Sequence, residues 1–177
     1  DRKHKKRWTA FDTALISIGQ GDILVSPLQA AVYTAAIATN GTLWRPNILK
    51  TIVAPGGAAV YTEHAQAAGH LAASPQTLEI IRKGMYLSVN SDIGGSKRAR
   101  NEAIDLSGKT GTAEVGPRST RYKNTWFTGF GTHNGKTYAI AILVEHGVSG
   151  GKTCAPLAAE FFNRWLGSQK EQAAVSR

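Results

Sequence analysis

Lys109, Thr110, Gly111 and Thr112 carry the strongest chemical signal in the chain. They lie in Ser107-Gly108-Lys109-Thr110-Gly111-Thr112-Ala113-Glu114-Val115, which reads as the opening of a β-strand whose backbone passes close to a ligand. Lys109 offers a fixed cation, and Gly111 removes the side chain that would block an approaching substrate. Thr110 and Thr112 stand two residues apart, so alternation along a strand puts both hydroxyls on one face and leaves Lys109 and Gly111 on the other. A cation, hydroxyls and bare backbone N–H groups along a strand edge suit an anionic, peptide-like substrate.

Other stretches imitate catalytic or phosphate-binding motifs. Gly108-Lys109-Thr110 resembles the end of a P-loop, but Ala103 stands where that motif needs glycine. Gly147-Val148-Ser149-Gly150-Gly151-Lys152-Thr153 is a closer imitation, set between a strand and a helix, although its spacing is one residue short. No apolar run ending in Asp follows it to hold magnesium, and a glycine turn is the plainer reading. Ser149 and Lys152 match S-x-x-K, in which a nucleophilic Ser needs its Lys one helical turn later; the two intervening glycines argue against that helix. Ser88-Val89-Asn90 matches S-x-N, yet it ends a helix whose interior face accounts for Val89, and Ser and Asn are ordinary capping residues there.

The five histidines, at positions 4, 64, 70, 133 and 146, form no H-x-x-x-H pair and no cluster with cysteine, so neither a metal nor a cofactor is expected. Glu145-His146 is an acid–base candidate beside the plainer structural role. Asp12, Asp22 and Asp92 offer no paired-carboxylate arrangement.

A chain of 177 residues with 42 % hydrophobic content suits one globular domain or a large piece of one. No apolar run reaches the roughly 20 residues that span a bilayer, and no signal peptide is visible. The start at Asp1 rather than Met suggests a piece of a longer protein. The single cysteine, Cys154, leaves the redox compartment open. Five of the first seven residues (Arg2, Lys3, Lys5, Lys6, Arg7) are basic within a net charge of +9, and read as a solvated arm. No nucleic-acid-binding motif follows, so no nucleic-acid partner is expected.

Several elements can be drawn around the Lys109 stretch. Trp8 to Gly21 looks irregular, with Gly19-Gln20-Gly21 suggesting a tight turn or close backbone approach. Ser26 and Pro27 open a helix whose Leu28, Ala31, Val32, Ala35, Ala36 and Thr39 follow a 3.6-residue period, and Asn40-Gly41 closes it. Residues 42 to 73 hold short extended pieces in a surface excursion, and Ser74-Pro75 then opens a second helix through Leu78, Ile81, Met85 and Val89. Asp92 to Asn101 reads as a mobile loop leading into the central strand, and Gly116 to Asn124 as a second polar loop. A strand from Trp126, a turn at His133-Asn134-Gly135 and an apolar strand from Tyr138 to Glu145 follow. The last helix is expected from Pro156 to about Leu166, with apolar face Leu157, Ala158, Phe161, Phe162 and Trp165. Gly167 would stop it, and 168–177 would be a disordered tail. The fold class is therefore α+β, with a thin antiparallel sheet of three strands flanked by helices and open to a missing partner.

In combination these stretches resemble class B penicillin-binding proteins. Ser17-Ile18-Gly19-Gln20-Gly21, Ser26-Pro27-Leu28-Gln29-Ala30-Ala31 and Asn40-Gly41 with Pro46 are similar to the segment that follows S-x-N in that family. Gly108 to Val115 looks like its K-T-G strand. Trp126-Phe127-Thr128-Gly129-Phe130, Val144-Glu145-His146-Gly147, Gly150-Gly151 and Ala155-Pro156 resemble its last two strands and C-terminal helix. The resemblance runs from about Trp8 to Leu166 and is nearest the elongation-type members, the penicillin-binding protein 2 group.

The resemblance implies the penicillin-binding-protein and serine β-lactamase-like fold. It also implies a serine D,D-transpeptidase acting on the D-Ala-D-Ala end of a peptidoglycan stem peptide, with β-lactams as mimics of that dipeptide. By the same resemblance Lys109 organises the proton network with the S-x-N serine and adds positive potential. The hydroxyls of Thr110 and Thr112 bind the substrate carboxylate, Gly111 keeps the strand open, and the Thr112 N–H forms half of the oxyanion hole. In the family, S-x-x-K and S-x-N precede the Gly19-Gln20-Gly21 segment. Residues 1–177 are thus expected to be the C-terminal portion of one transpeptidase domain, inactive without the rest, with nucleophile and general base before Asp1. The implied partners are the stem peptide, β-lactams, the remainder of the same domain and the cell-elongation machinery, at the periplasmic face of the bacterial cytoplasmic membrane. A non-catalytic penicillin-recognising sensor or scaffold module, or a nucleotide-binding protein using Gly147 to Thr153, are the other readings.

Overall fold

The computed structural model describes residues 7–117 and 119–175, so Arg2, Lys3, Lys5 and Lys6 of the basic arm lie outside the described residues. The first element corrects the irregular reading of Trp8 to Gly21: helix α1 spans Ala10–Ser17. Thr9 and Asp12 cap each other, the Asp12 N–H donating to Thr9 Oγ1 at 3.3 Å and the Thr9 N–H to Asp12 Oδ2 at 2.8 Å. That reciprocal box satisfies two helix-end donors and starts a helix whose apolar periodicity is too weak to announce it. None of its residues is buried.

Helix α2, Pro27–Ala38, forms as its caps predict, with the Gln29 N–H donating to Ser26 Oγ and the Ser26 N–H to Gln29 Oε1. It ends at Asn40 (φ 57°) and Gly41 (φ 97°), where a Cβ on Gly41 would lie 2.4 Å from the His70 ring. The excursion that follows folds into two antiparallel ribbons. Strand β1 (Thr42–Trp44) pairs with β4 (Ala67–His70), and β2 (Thr51–Val53) with β3 (Ala59–Thr62).

Helix α3, Pro75–Asn90, starts at the Ser74 cap and buries Leu78, Met85 and Val89; Ile81, expected on the same face, stays more than a third exposed. The segment read as a mobile loop is instead anchored at two buried positions, with most of its other side chains exposed. It turns back over the end of α3, forms a short 3-10 turn at Lys97–Ala99 and buries Ser96 and Ala99.

Strands β5 (Asp105–Val115), β6 (Tyr122–His133) and β7 (Lys136–Glu145) make one antiparallel sheet in that order. Strand β6 begins four residues before Trp126, because Tyr122 to Thr125 continue the ladder opposite Val115 to Thr112. Asn134 and Gly135 both take positive φ, the two-residue turn that matches the strand twist.

The last helix, α4, spans Gly150–Val175, longer at both ends than residue types suggest. Ser149 caps it ahead of the two glycines, and Gly167 is tolerated within it at a cost of about 1 kcal/mol, because the residues that follow favour helix. The expected stop at Gly167 is thus not seen, and the helix runs through Val175; Ser176 and Arg177, the end of the expected tail, lie outside the described residues. Its buried stripe is Cys154, Ala155, Ala158, Phe162 and Leu166; Leu157 and Phe161, expected inside, are exposed, and Trp165 is half-buried. The stripe packs with Val89, Ala99, Ile104, Leu106 and the fully buried Phe127 into the main core. Each large side chain buried there stabilises the fold by roughly 1.5–3 kcal/mol. Among the described residues no helix is long and apolar enough to cross a membrane.

Candidate functional site

Strand β5 is an edge strand, and its free edge builds the site. Lys109 lies opposite Thr128 and Gly111 opposite Trp126, so these four share one face. Thr110 and Thr112 share the other. The alternation read from the sequence therefore holds in the fold.

Side chains hold the free edge in place. Asn90 Nδ2 donates to the Leu106 carbonyl at 3.0 Å, and the Thr110 N–H donates to Ser96 Oγ at 3.1 Å. Lys109 Nζ, exposed to solvent, donates to the Thr110 carbonyl at 2.8 Å, and Gln20 Nε2 to the Thr112 carbonyl at 3.2 Å. All the strand groups engaged belong to even-numbered residues, the set that alternation turns away from β6. Such tethers satisfy an otherwise unpaired edge without adding a strand. Gln20 reaches it from a turn with Gly19 at φ 72° and Gly21 at φ 98°, the tight turn its flanking glycines suggested; the contact itself is made by the side chain.

The two threonine hydroxyls meet different partners. Thr112 Oγ1 accepts the N–H of Gly150, the first residue of α4, at 3.2 Å. Thr110 Oγ1 accepts from Ser96 Oγ at 3.4 Å, and Ser96 Oγ accepts from Ser88 Oγ at 2.9 Å. A cleft of about 490 Å³ opens beside this edge, between residues 17–19, α2 and β5. An adjoining, mostly apolar hollow of about 520 Å³ lies between α2 and α3. Lys109 lines both.

The motif imitations resolve into framework. Asn90 ties α3 to β5 and also donates to the Tyr86 carbonyl, while Ser88 feeds Ser96. Ser149 caps α4 by accepting the Lys152 N–H at 3.3 Å, so its glycines do begin a helix, contrary to their usual effect, but the serine is spent on the cap. A phosphate finds no opening at this helix start: the Gly150 N–H is taken by Thr112, and a Cβ on Gly150 would lie 2.5 Å from the carbonyls of Gly111 and Trp126. His146, at φ 57°, stacks on Tyr122 with ring centroids 4.3 Å apart. Cys154 is buried, its thiol on the Thr125 carbonyl at 3.1 Å. Among the described residues no three His, Cys, Asp or Glu side chains converge.

Sequence reasoning placed Lys109, Thr110, Gly111 and Thr112 together, and the fold does the same. It missed Ser96, whose only local signal is a serine after two glycines, and the strand-bracing roles of Asn90 and Gln20.

The family model described as the penicillin binding protein transpeptidase domain matches residues 2–163. The peptidoglycan D,D-transpeptidase MrdA of Acinetobacter baumannii is 30% identical, over 96% of this chain and 26% of that protein. Among solved structures, the complex between penicillin-binding protein (PBP2) and MreC from Helicobacter pylori aligns with TM-score 0.70 and 31% identity, over 90% of this chain and 28% of that one. The penicillin G acyl-enzyme complex of penicillin-binding protein A from Mycobacterium tuberculosis aligns with TM-score 0.61 and 32% identity, over 75% of this chain and 29% of that one. The chain therefore spans between a quarter and a third of the length of these relatives.

Proposed function

This chain belongs to the penicillin-binding-protein transpeptidase family, and we propose that it supplies the substrate-facing K-T-G strand of a peptidoglycan D,D-transpeptidase. The observation that carries the reading is the braced free edge of β5, with Lys109, Thr110 and Thr112 beside a cleft. A serine outside these 177 residues attacks the penultimate D-Ala carbonyl of a stem peptide, the terminal D-Ala leaves as an amine, and an amine of a neighbouring strand resolves the acyl-enzyme. Lys109 provides positive potential and a proton partner at the reacting end. The Thr110 and Thr112 hydroxyls hold the terminal carboxylate. The Thr112 N–H, turned outward with its carbonyl, stabilises the oxyanion, and Gly111 leaves room for the chain to approach.

Placing the nucleophile elsewhere is supported by the framework bonds of Ser88 and Ser149 and by the short share of each relative that the chain spans. The substrate class puts the work at the periplasmic face of the bacterial cytoplasmic membrane. The likeness to the Helicobacter PBP2–MreC complex supports a cell-elongation partner. Intact-mass spectrometry after incubation with benzylpenicillin tests the reading, on these 177 residues and on the full-length protein. One covalent adduct on the full-length protein alone is expected. An adduct on the 177 residues would move the nucleophile to one of their serines. No adduct on either would overturn the transpeptidase reading in favour of a non-catalytic module.

A further inference from the structure

We propose that Ser96 is a positioning residue for the carboxylate-binding face of β5, setting both the backbone of Thr110 and the direction in which the Thr110 hydroxyl points its proton. The inference rests on the transpeptidase reading and adds to it a residue outside the K-T-G strand.

Ser96 is fully buried, in a turn with little freedom. Its N–H donates to the Ser88 carbonyl at 2.9 Å. Gly94 keeps the turn close to α3, since a Cβ there would lie 2.2 Å from that same carbonyl oxygen and would push the two apart. On the far side, the start of α4 closes on the turn, and a Cβ on Gly151 would lie 2.9 Å from the Gly95 carbonyl. The hydroxyl is thereby delivered to one place beside β5.

A serine hydroxyl has one proton to donate and two lone pairs to accept. Here both acceptor sites are filled, by the Ser88 hydroxyl at 2.9 Å and by the Thr110 N–H at 3.1 Å. The proton of Ser96 is left for Thr110 Oγ1, at 3.4 Å. Thr110 therefore accepts from the protein interior and must spend its own proton elsewhere, toward the cleft. Thr112 is loaded in the same sense, because its oxygen accepts from the Gly150 N–H at 3.2 Å. Two neighbouring hydroxyls on one strand face, each receiving from inside and donating outward, select a group that only accepts hydrogen bonds. A carboxylate is such a group, and an ester is a much poorer one.

The test is the acylation of the full-length protein by benzylpenicillin and by its methyl ester, read as the ratio of the two second-order rate constants. In Ser96→Ala the ratio of acid to ester is expected to fall about tenfold, the scale of one misdirected hydrogen bond to a charged group. Ser96→Thr, which keeps the hydroxyl, is expected to restore the ratio. Adding Thr110→Val to Ser96→Ala is expected to lower it little further. Partial unfolding lowers both rates together and leaves the ratio untouched, so the measurement separates positioning from stability. An unchanged ratio in Ser96→Ala, with both rates falling equally or neither falling, overturns the proposal. A wild-type full-length protein acylated by neither compound overturns the transpeptidase reading itself and this inference with it.

Discussion

Two turns that look alike in the sequence, Ser91 to Ser96 and Gly147 to Gly151, grip the same face of β5 in different ways. The first reaches Thr110 with a side chain, the hydroxyl of Ser96. The second reaches Thr112 with main chain, the N–H of Gly150. The turns also touch each other, where Gly151 closes on the Gly95 carbonyl. Substituting Ser96 deletes its turn's own half of the bond, whereas the Gly150 N–H survives any side-chain change within its turn and can only be displaced. The work is therefore divided: the glycines at 94 and 151 permit approach, Gly150 supplies its N–H, and Ser96 supplies its hydroxyl.

The largest expected effect comes from displacing the main-chain grip. In Gly150→Ala the new Cβ would meet three strand backbone atoms within 3 Å, and the full-length protein is expected to lose about 3 kcal/mol in urea unfolding and most of its penicillin acylation. Gly94→Ala strikes the other turn, where the half-buried end of α3 can yield, so a smaller loss of about 2 kcal/mol is expected by the same measurement. A Gly94→Ala protein as stable as wild type would show that this turn is not held as described. Ser149→Ala removes the cap of α4 but not the Gly150 N–H, and should cost about 1 kcal/mol while leaving the acylation rate of the folded protein near wild type. Smallest of all, Lys152→Ala should change stability by less than about 0.5 kcal/mol, with no change in nucleotide binding by calorimetry. A nucleotide affinity that Lys152→Ala abolished would revive the P-loop reading.

Much of the scaffold around these turns was legible because the signals are local. Ser26-Pro27, Ser74-Pro75 and Asn134-Gly135 each act within a few bonds, through a cap, a preset φ or a positive φ, and each appears where expected. Helix α1 escaped notice because its start depends on the weaker Thr9–Asp12 pair and none of its residues is buried. The start of α4 was misjudged because Gly-Gly usually breaks helices; here the glycines are what lets the helix abut two strand carbonyls. Its buried stripe was legible in part: Ala158 and Phe162 are buried as expected, whereas Leu157 and Phe161 suit a core by type but face outward. The loop at Asp92 to Asn101 looked mobile because polar residues with glycines lack periodicity, and only burial of Ser96 and Ala99 reveals where it is anchored.

Residue types and spacing alone were enough to put a cation, two hydroxyls and a bare glycine on opposite faces of one strand, because a period of two is a property of the backbone. They were also enough to suggest the family, since its motifs keep their order along the chain. The folded chain was needed to say which edge of that strand is free, that Asn90, Ser96 and Gln20 brace it from far away in sequence, and that the start of α4 is filled by Thr112. Those facts depend on hydrogen bonds between segments as many as 92 residues apart, and no local pattern encodes which distant donor will reach a given carbonyl.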